Sequence, residues 1–113
     1  MNSELETIFN RLDQYSLAVN NCNCTDKKSL DELMKLVNEI HYFIVSIQIN
    51  YSKETILQFL KDKIEEIKKV DCNDAGKRFD FSYLKLDIVR GLNSFRNQLN
   101  SSIELSDVAK KEN

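Results

Sequence analysis

Three cysteines and a single histidine are among the side chains of this chain that could bind a metal ion or act as nucleophiles. Cys22 and Cys24 stand in one polar segment, "NNCNCT", and Cys72 stands in another, "DCNDAGKR". The usual cysteine pairs of zinc sites have two or more intervening residues, whereas "CNC" has one. We therefore expect reduced free thiols. A disulfide through Cys72, or a metal site completed by Asp71 or Asp74, remains an alternative, and one thiol is left over in any disulfide scheme.

His41 lacks the partners that catalysis or two-metal binding would require. Helical bundles that hold two metal ions use the pattern Glu-x-x-His, because a spacing of three residues points both ligands inward. Here Glu39 precedes His41 by two residues. His41 also lies about 15 residues into the second predicted helix, more than about 20 Å from the cysteines at 1.5 Å per residue. We interpret it as a hydrogen-bonded residue at the edge of the core, and we predict that the chain is not an enzyme.

Two short stretches approach known ligand loops without completing them. "DCNDAGKRFDFS" has Asp71, Asn73 and Gly76 where a calcium loop of the EF-hand type needs two ligands and a glycine. Its fifth position is alanine, and its twelfth, where a bidentate glutamate is required, is Ser82. "AGKR" lacks the earlier glycine and the following serine or threonine of a phosphate loop. The sequence therefore predicts no cofactor.

The charge balance argues against nucleic acid or a membrane as a partner. The net charge is -2 and the isoelectric point is near 5.4, whereas nucleic-acid-binding proteins carry basic stripes that replace the counterions of phosphate. The longest apolar stretch is far shorter than the roughly 20 residues of a bilayer span. "MNSELETIFN" also lacks the basic start and apolar run of a signal peptide. These features predict a cytoplasmic protein with reduced thiols.

Helices must position all of these residues, because the chain of 113 residues has no proline and two glycines. Proline breaks helix interiors and glycine weakens them, so this composition favours long helices. Apolar residues recur at intervals of three and four in four stretches, as on one face of a helix. The predicted helices run from Ser3 to "NNCNC", from Leu30 to Tyr51, from Ser52 to Lys69, and from Asp80 or Ser82 to Ile103.

Capping residues support these boundaries. Ser3 with Glu6 and Ser29 with Glu32 fit the capping box, in which each side chain satisfies a backbone N–H at the helix start. Thr25 is a second candidate cap for the second helix, and Ser52 is the candidate cap for the third. The segment "DCNDAGKR" is predicted to be a loop because it contains glycine and short polar residues.

Four amphipathic helices with short connections predict an all-α fold, an antiparallel up-down-up-down four-helix bundle. Residues 1–113 form a single domain, in which the polar tail 104–113 is expected to fray. The alternative is a three-helix bundle with a long middle helix, in which the second and third helices are fused through Tyr51 and Ser52. Nothing at that junction forces a turn.

The second helix is apolar over more of its circumference than a bundle requires. Two adjacent apolar rows between Leu30 and Tyr51 already supply a wide core face. A third ridge, Tyr42, Val45 and Ile49, lies on the far side, where the small polar residues Asn38 and Ser46 interrupt it. A helix that is apolar all round is normally buried all round. We therefore predict that these five residues bind a partner: Asn38, Tyr42, Val45, Ser46 and Ile49.

A β-strand is the alternative for the same segment. Residues 45–51 alternate between apolar and polar side chains, and their β-branched residues favour strands. No second strand that could pair with this one is evident in the sequence, and a lone strand would leave its backbone groups without hydrogen bonds. We therefore prefer the helix.

Four explanations would account for the outward apolar ridge. The tail, through Leu105 and Val108, folds back over it; a second copy forms a two-fold homodimer; a different protein binds there; or the side chains are simply exposed. We favour an interface. The sequence thus predicts a non-enzymatic protein–protein interaction module of the adaptor, chaperone, immunity or regulatory type. The alternative is a thiol- or metal-dependent sensor that uses Cys22, Cys24 and Cys72.

Overall fold

The protein is built from helices throughout the part of the chain that its structure, a computed structural model, describes. This part comprises residues 3–23, 27–49, 51–70 and 75–112, with side chains at 4–23, 27–49, 51–70 and 80–102. The four helices are α1 (Ser3–Asn20), α2 (Lys27–Ser46), α3 (Glu54–Ile67) and α4 (Ala75–Glu112). No strand occurs in these ranges, so the predicted all-α class is confirmed.

The helices form a square in which each one packs against two neighbours. α1 contacts α2 and α4, and α3 contacts α2 and α4. Lys85 of α4 donates hydrogen bonds to the backbone carbonyls of Asn20 and Cys22, at the end of α1. Further along α4, Arg96 pairs with Asp13, nearer the start of α1, with Nε and Oδ1 2.9 Å apart. These contacts make α1 and α4 antiparallel, and the predicted up-down-up-down four-helix bundle is confirmed.

The core consists of the inward apolar faces of all four helices. Each fully buried side chain contributes about 1.5–3 kcal/mol relative to an exposed one, and no polar or charged side chain is buried within the described residues. The spacing of three and four residues that the sequence shows is therefore the spacing of the core. The largest fully buried side chains are Leu12, Val19, Leu33, Val37, Ile40, Ile44, Leu60, Ile67, Phe81, Ile88, Leu92 and Leu99.

α2 ends earlier than predicted, at Ser46 instead of Tyr51. The Nζ of Lys53 donates hydrogen bonds to the carbonyls of Val45 and Ile47, each at 2.9 Å. Carbonyls at the end of a helix have no partner within it, and the helix dipole favours positive charge there. Lys53 therefore stabilises the helix end, and the alternative fold, in which the second and third helices are fused, is wrong.

The chain between α2 and α3 packs into the end of the bundle. Ile47 is buried, and Ile49 and Tyr51 are partly buried against the core. The Tyr51 hydroxyl donates to Gln98 Oε1 at 2.8 Å, and its ring lies 6.2 Å from that of Phe95. Residues 47–49 are neither helix nor strand, so the strand alternative is wrong as well. Leaving the helix lets these side chains reach the core.

The predicted caps of α2 and α3 also differ from the observed helix starts. α2 begins at Lys27, so Ser29 lies inside the helix and is not its N-cap. The other candidate cap, Thr25, lies outside the described residues. The N-cap of α3 is Lys53 in place of Ser52, and no side-chain hydrogen bond caps this start. α1 begins at Ser3, as predicted.

α4 is longer than predicted at its start. It begins at Ala75, so residues 75–78, predicted as loop, are helical and include Gly76. A glycine inside a helix costs only about 1 kcal/mol relative to alanine, which the long amphipathic face that follows can outweigh.

The C-terminal part of α4 projects beyond the other three helices. Its 38 residues span about 57 Å at 1.5 Å per residue, close to the longest dimension of the molecule, 60 Å. α4 stays helical to Glu112 and lies diagonally opposite α2. The alternative explanation in which the tail folds back over α2, through Leu105 and Val108, is therefore wrong for the backbone path. The fraying of residues 104–113 stays a prediction.

The role of Lys53 leads to a test of the α2 terminus. We expect Lys53→Met to lower the free energy of unfolding by about 1–2 kcal/mol, because it removes two charge-assisted hydrogen bonds and a favourable dipole interaction. Urea unfolding followed by far-UV circular dichroism measures the change. Lys61→Met, on the exposed side of α3, is the control and should change stability by less than about 0.5 kcal/mol. Equal stabilities for the two variants would contradict this role.

Gly91 allows α4 to approach α3 closely. A Cβ placed on Gly91 would lie 2.5 Å from Cε1 and 2.7 Å from Cζ of Phe59. The Nζ of Lys63 lies 5.2 Å from the centroid of the same ring, which limits its freedom to move. Alanine at this position would clash with the Phe59 ring unless the ring shifts, so packing favours glycine although alanine is the better helix former.

Gly91→Ala should lower the stability of the bundle, by up to about 2 kcal/mol, because overpacking outweighs the gain in helix propensity. Asn93→Ala, at an exposed position of the same helix, is the control and should leave stability unchanged or raise it. Adding Phe59→Leu to Gly91→Ala should recover part of the loss in a double-mutant cycle. A Gly91→Ala protein more stable than wild type would disprove the close approach.

Candidate interaction surface on α2

Four of the five residues predicted to bind a partner share the outward side of α2, and we call them the α2 outer face: Asn38, Tyr42, Val45 and Ser46. All four are exposed. Tyr42 is 76% exposed and Val45 is 48% exposed. These positions point outward because the inward side of α2 is committed to the core. The sequence-based prediction of an apolar ridge in contact with solvent therefore holds for two of its three members.

Ile49, the third predicted member of the ridge, is not on it. The spacing from Val45 to Ile49 continues the ridge only if the helix continues, and α2 ends at Ser46. Ile49 instead packs, partly buried, against the core. We therefore exclude Ile49 from the candidate surface.

The polar members of the α2 outer face bond to their own helix. Asn38 Nδ2 donates to the carbonyl of Met34 at 3.0 Å, and the Ser46 hydroxyl donates to the carbonyl of Phe43 at 2.7 Å. The Asn38 amide keeps its oxygen and a second N–H, and the Ser46 oxygen keeps its lone pairs. Both residues can therefore accept or donate further hydrogen bonds while they stay small enough for a partner to approach Tyr42.

A groove between α1 and α2 borders the α2 outer face on the side of α1. It has a volume of 560 Å³. Its deeper part is aromatic, since Tyr15 is buried, Phe43 is partly buried, and their ring centroids lie 5.6 Å apart at an angle of 60°. The groove therefore combines an apolar floor with a polar rim. Its lining consists of Arg11, Tyr15, Lys35, Asn38, Glu39, Tyr42, Phe43 and Ser46.

Arg11 is held in place over the aromatic floor of this groove. Its Nε donates to the Tyr15 hydroxyl at 3.2 Å, and its guanidinium carbon lies 5.4 Å from the Tyr15 ring and 5.7 Å from the Phe43 ring. Stacking of arginine on aromatic rings contributes about 0.5–1 kcal/mol at exposed sites. Arg11 is thus a pre-positioned charge, contributed by α1, a helix that no pattern in the sequence connects with this surface.

The charged groups of the groove have no ion-pair partner in the described part of the chain. Arg11, Lys35 and Glu39 form no ion pair with any residue that the structure describes. Lys35 and Glu39 stand one turn apart, in the order that opposes the helix dipole and is the weaker one for such pairs. Both signs of charge therefore remain free to meet a partner.

A second groove lies between α3 and α4. It is smaller, and acidic side chains that line it already form ion pairs. Its volume is 290 Å³, and exposed Tyr83 stands at its edge. Lys63 Nζ lies 2.9 Å from Glu66 Oε2 and 3.4 Å from Asp87 Oδ2. Burial acts to lower the pKa of Lys63, but its hydrogen bonds and attraction to Glu66 and Asp87 outweigh that effect and raise it. We therefore regard this groove as the weaker candidate.

Cys22 is a free, partly buried thiol. Its Sγ lies 3.4 Å from the carbonyl oxygen of Ala18, to which it donates a hydrogen bond. Burial raises the pKa of the thiol, and the positive charge of Lys85 opposes that shift only in part. A raised pKa lowers the thiolate fraction and hence the reactivity. The other two predicted metal candidates, Cys24 and Cys72, lie outside the described residues.

His41 is placed as predicted but not bonded as predicted. It is partly buried on α2, and its Nε2 is buried without a hydrogen bond within the described part of the chain. The prediction of a hydrogen-bonded edge residue is therefore wrong for this atom. In the described residues, no three His, Cys, Asp or Glu side chains gather in a way that could hold a metal ion.

Comparison with known proteins finds no matching protein-family model, no matching curated protein and no matching solved structure. None of the helices, over the described residues, is both long enough and apolar enough to cross a membrane. The case for a function therefore depends on the surface chemistry of this chain alone.

The surroundings of Cys22 lead to a test by alkylation. We expect iodoacetamide at pH 8 to modify Cys22 in the native protein at least about fivefold more slowly than in the urea-unfolded chain, because burial disfavours the thiolate and limits access. Peptide mass spectrometry resolves Cys22 from the other two cysteines, and the unfolded chain is the reference. A native rate equal to the unfolded rate would show that the thiol is not protected.

Proposed function

We propose that this protein is a non-enzymatic protein–protein interaction module that works in the cytoplasm and binds its partner through the α2 outer face. The observation that carries the proposal is the exposure of Tyr42, beside Val45, on a helix whose inward side is fully used by the core. Tyrosine is enriched at interfaces because it brings a large apolar area together with a polar tip. The partner is a protein, whether a second copy or a different chain, in preference to nucleic acid or a membrane.

The α1–α2 groove is a second observation that supports the same proposal. Its floor is aromatic and its rim is polar, which is the arrangement of an interface centre surrounded by a solvated border. Burying Tyr42 and Val45 fully would contribute about 1.5–3 kcal/mol for each side chain before the cost of association. This favours a specific contact of modest affinity.

The other candidate, a thiol- or metal-dependent sensor, has less support. Such a sensor needs a thiol of lowered pKa with access to solvent, whereas burial raises the pKa of Cys22. We therefore propose the interaction module alone.

Photo-crosslinking tests the proposed function directly. Benzoylphenylalanine replaces Tyr42 in one variant and Tyr83 in another, each expressed in the native host and irradiated. Tyr83 is the matched control, since it is an exposed tyrosine on α4, diagonally opposite α2. We expect discrete protein adducts from position 42, of any mass, and at least about tenfold fewer from position 83. No adduct from position 42, or equal adducts from both positions, would disprove binding through the α2 outer face.

A further inference from the structure

We propose that the partner on the α2 outer face is a second copy of this chain, bound in a two-fold dimer that pairs Arg11 of each protomer with Glu39 of the partner subunit. α2 packs antiparallel against the partner's α2, and the α1–α2 grooves of the two protomers face each other. This inference rests on the proposed function and adds to it the identity of the partner, the orientation of the two chains and the residues that fix the register.

The positions of Arg11 and Glu39 fit a two-fold axis beside Tyr42. Both side chains line the same groove, on the α1 side of α2. The guanidinium of Arg11 lies over Phe43, and Glu39 precedes Phe43 by four residues, about 6 Å along the helix. An axis that crosses α2 just before Tyr42, between these two levels, brings them opposite each other to within about 1.5 Å, the rise of one residue. Arg11 then meets the partner's Glu39, and the same contact occurs a second time by symmetry.

The same axis matches the remaining members of the α2 outer face. Tyr42 lies next to the axis and meets the partner's Tyr42, which allows the two rings to stack with an offset. Asn38 and Ser46 lie four residues to either side of Tyr42, so Asn38 comes within about one residue's rise of the partner's Ser46. The second N–H of the Asn38 amide can donate to the serine oxygen, whose own proton is used within α2. The surface is therefore self-complementary in the order of its residues, in hydrogen bonding and in charge.

The charges favour a second copy over a foreign chain. Arg11 and Glu39 carry opposite signs, lie on opposite sides of Tyr42 along the helix, and form no ion pair within the described residues. An acidic partner would neutralise Arg11 but repel Glu39, and a basic partner would do the reverse. A second copy turned by the two-fold axis neutralises both, and charge complementarity of this kind fixes orientation and register.

The area of the face sets the expected strength of the dimer. The 20 residues of α2 are about 30 Å long, and the α1–α2 pair is about 20 Å wide, which agrees with a molecular cross-section of 21 × 20 Å. The contact therefore buries at most about 600 Å² per protomer, less than the roughly 800 Å² of a standard interface. We infer a dimer with a dissociation constant of about micromolar order.

Charge reversal tests this arrangement in solution. Arg11→Glu and Glu39→Arg, made separately, are each expected to raise the dissociation constant at least about tenfold, because each places like charges together at both contacts. An equimolar mixture of the two variants should regain the dimer mass, since every contact of the mixed dimer then pairs a glutamate with an arginine. Sedimentation equilibrium between about 1 and 500 µM, with light scattering, measures both effects. Lys61→Glu, on α3 outside the face, is the control and should leave the constant unchanged.

The outcomes separate the dimer from the proposed function. A wild-type protein that stays monomeric at 500 µM overturns the dimer, whereas crosslinks from position 42 to another protein would still support the interaction module. A dimer whose mass neither variant changes, or a mixture that fails to reassociate, places the interface elsewhere and also overturns the inference. Circular dichroism verifies that the variants fold. If Arg11→Glu does not fold, Glu39→Arg alone decides, because Glu39 is exposed and forms no hydrogen bond or ion pair within the described residues that the substitution would break.

Discussion

Burial of one apolar face per helix is the constraint on which the rest of this structure depends. The core holds no buried polar or charged side chain within the described residues, so apolar burial must offset the conformational entropy of the ordered chain. In a square bundle every helix has one side toward its neighbours and one toward solvent. α2 commits Leu33, Val37, Ile40 and Ile44 to the core, and this leaves Tyr42 outside.

The seam between α1 and α2 links the core to the candidate surface. Tyr15 is buried, yet its hydroxyl accepts a hydrogen bond from Arg11, whose guanidinium also stacks on Phe43. The same aromatic pair therefore packs α1 against α2 and fixes the charge of Arg11 at the surface. A charged side chain held before binding loses less entropy when a partner arrives. The contacts that pack α1 against α2 are therefore the same contacts that hold Arg11 at the surface.

The end of α2 shows how tertiary contacts override a helical pattern. Ile47 and Tyr51 continue the apolar rows of α2 in the sequence, and nothing local, neither proline nor glycine, stops the helix. The chain leaves the helix because Lys53 satisfies the freed carbonyls and because Tyr51 reaches Gln98 across the bundle. Both partners are distant in sequence or lie beyond the helix, so periodicity gives no sign of them. For this reason the helical spacing places Ile49 on the outward ridge, although the structure does not.

The sequence by itself determined the fold class, the number of helices and the outward position of Tyr42 and Val45. Absence of proline and a spacing of three and four residues are local properties, and the side of a helix that a residue occupies follows from its spacing. Only the tertiary structure decided where α2 ends, and which charges border Tyr42. Arg11 and Glu39 lie in one groove because two antiparallel helices pack side by side. The two residues are 28 positions apart in the chain, so the periodicity of a single helix does not indicate that they are close.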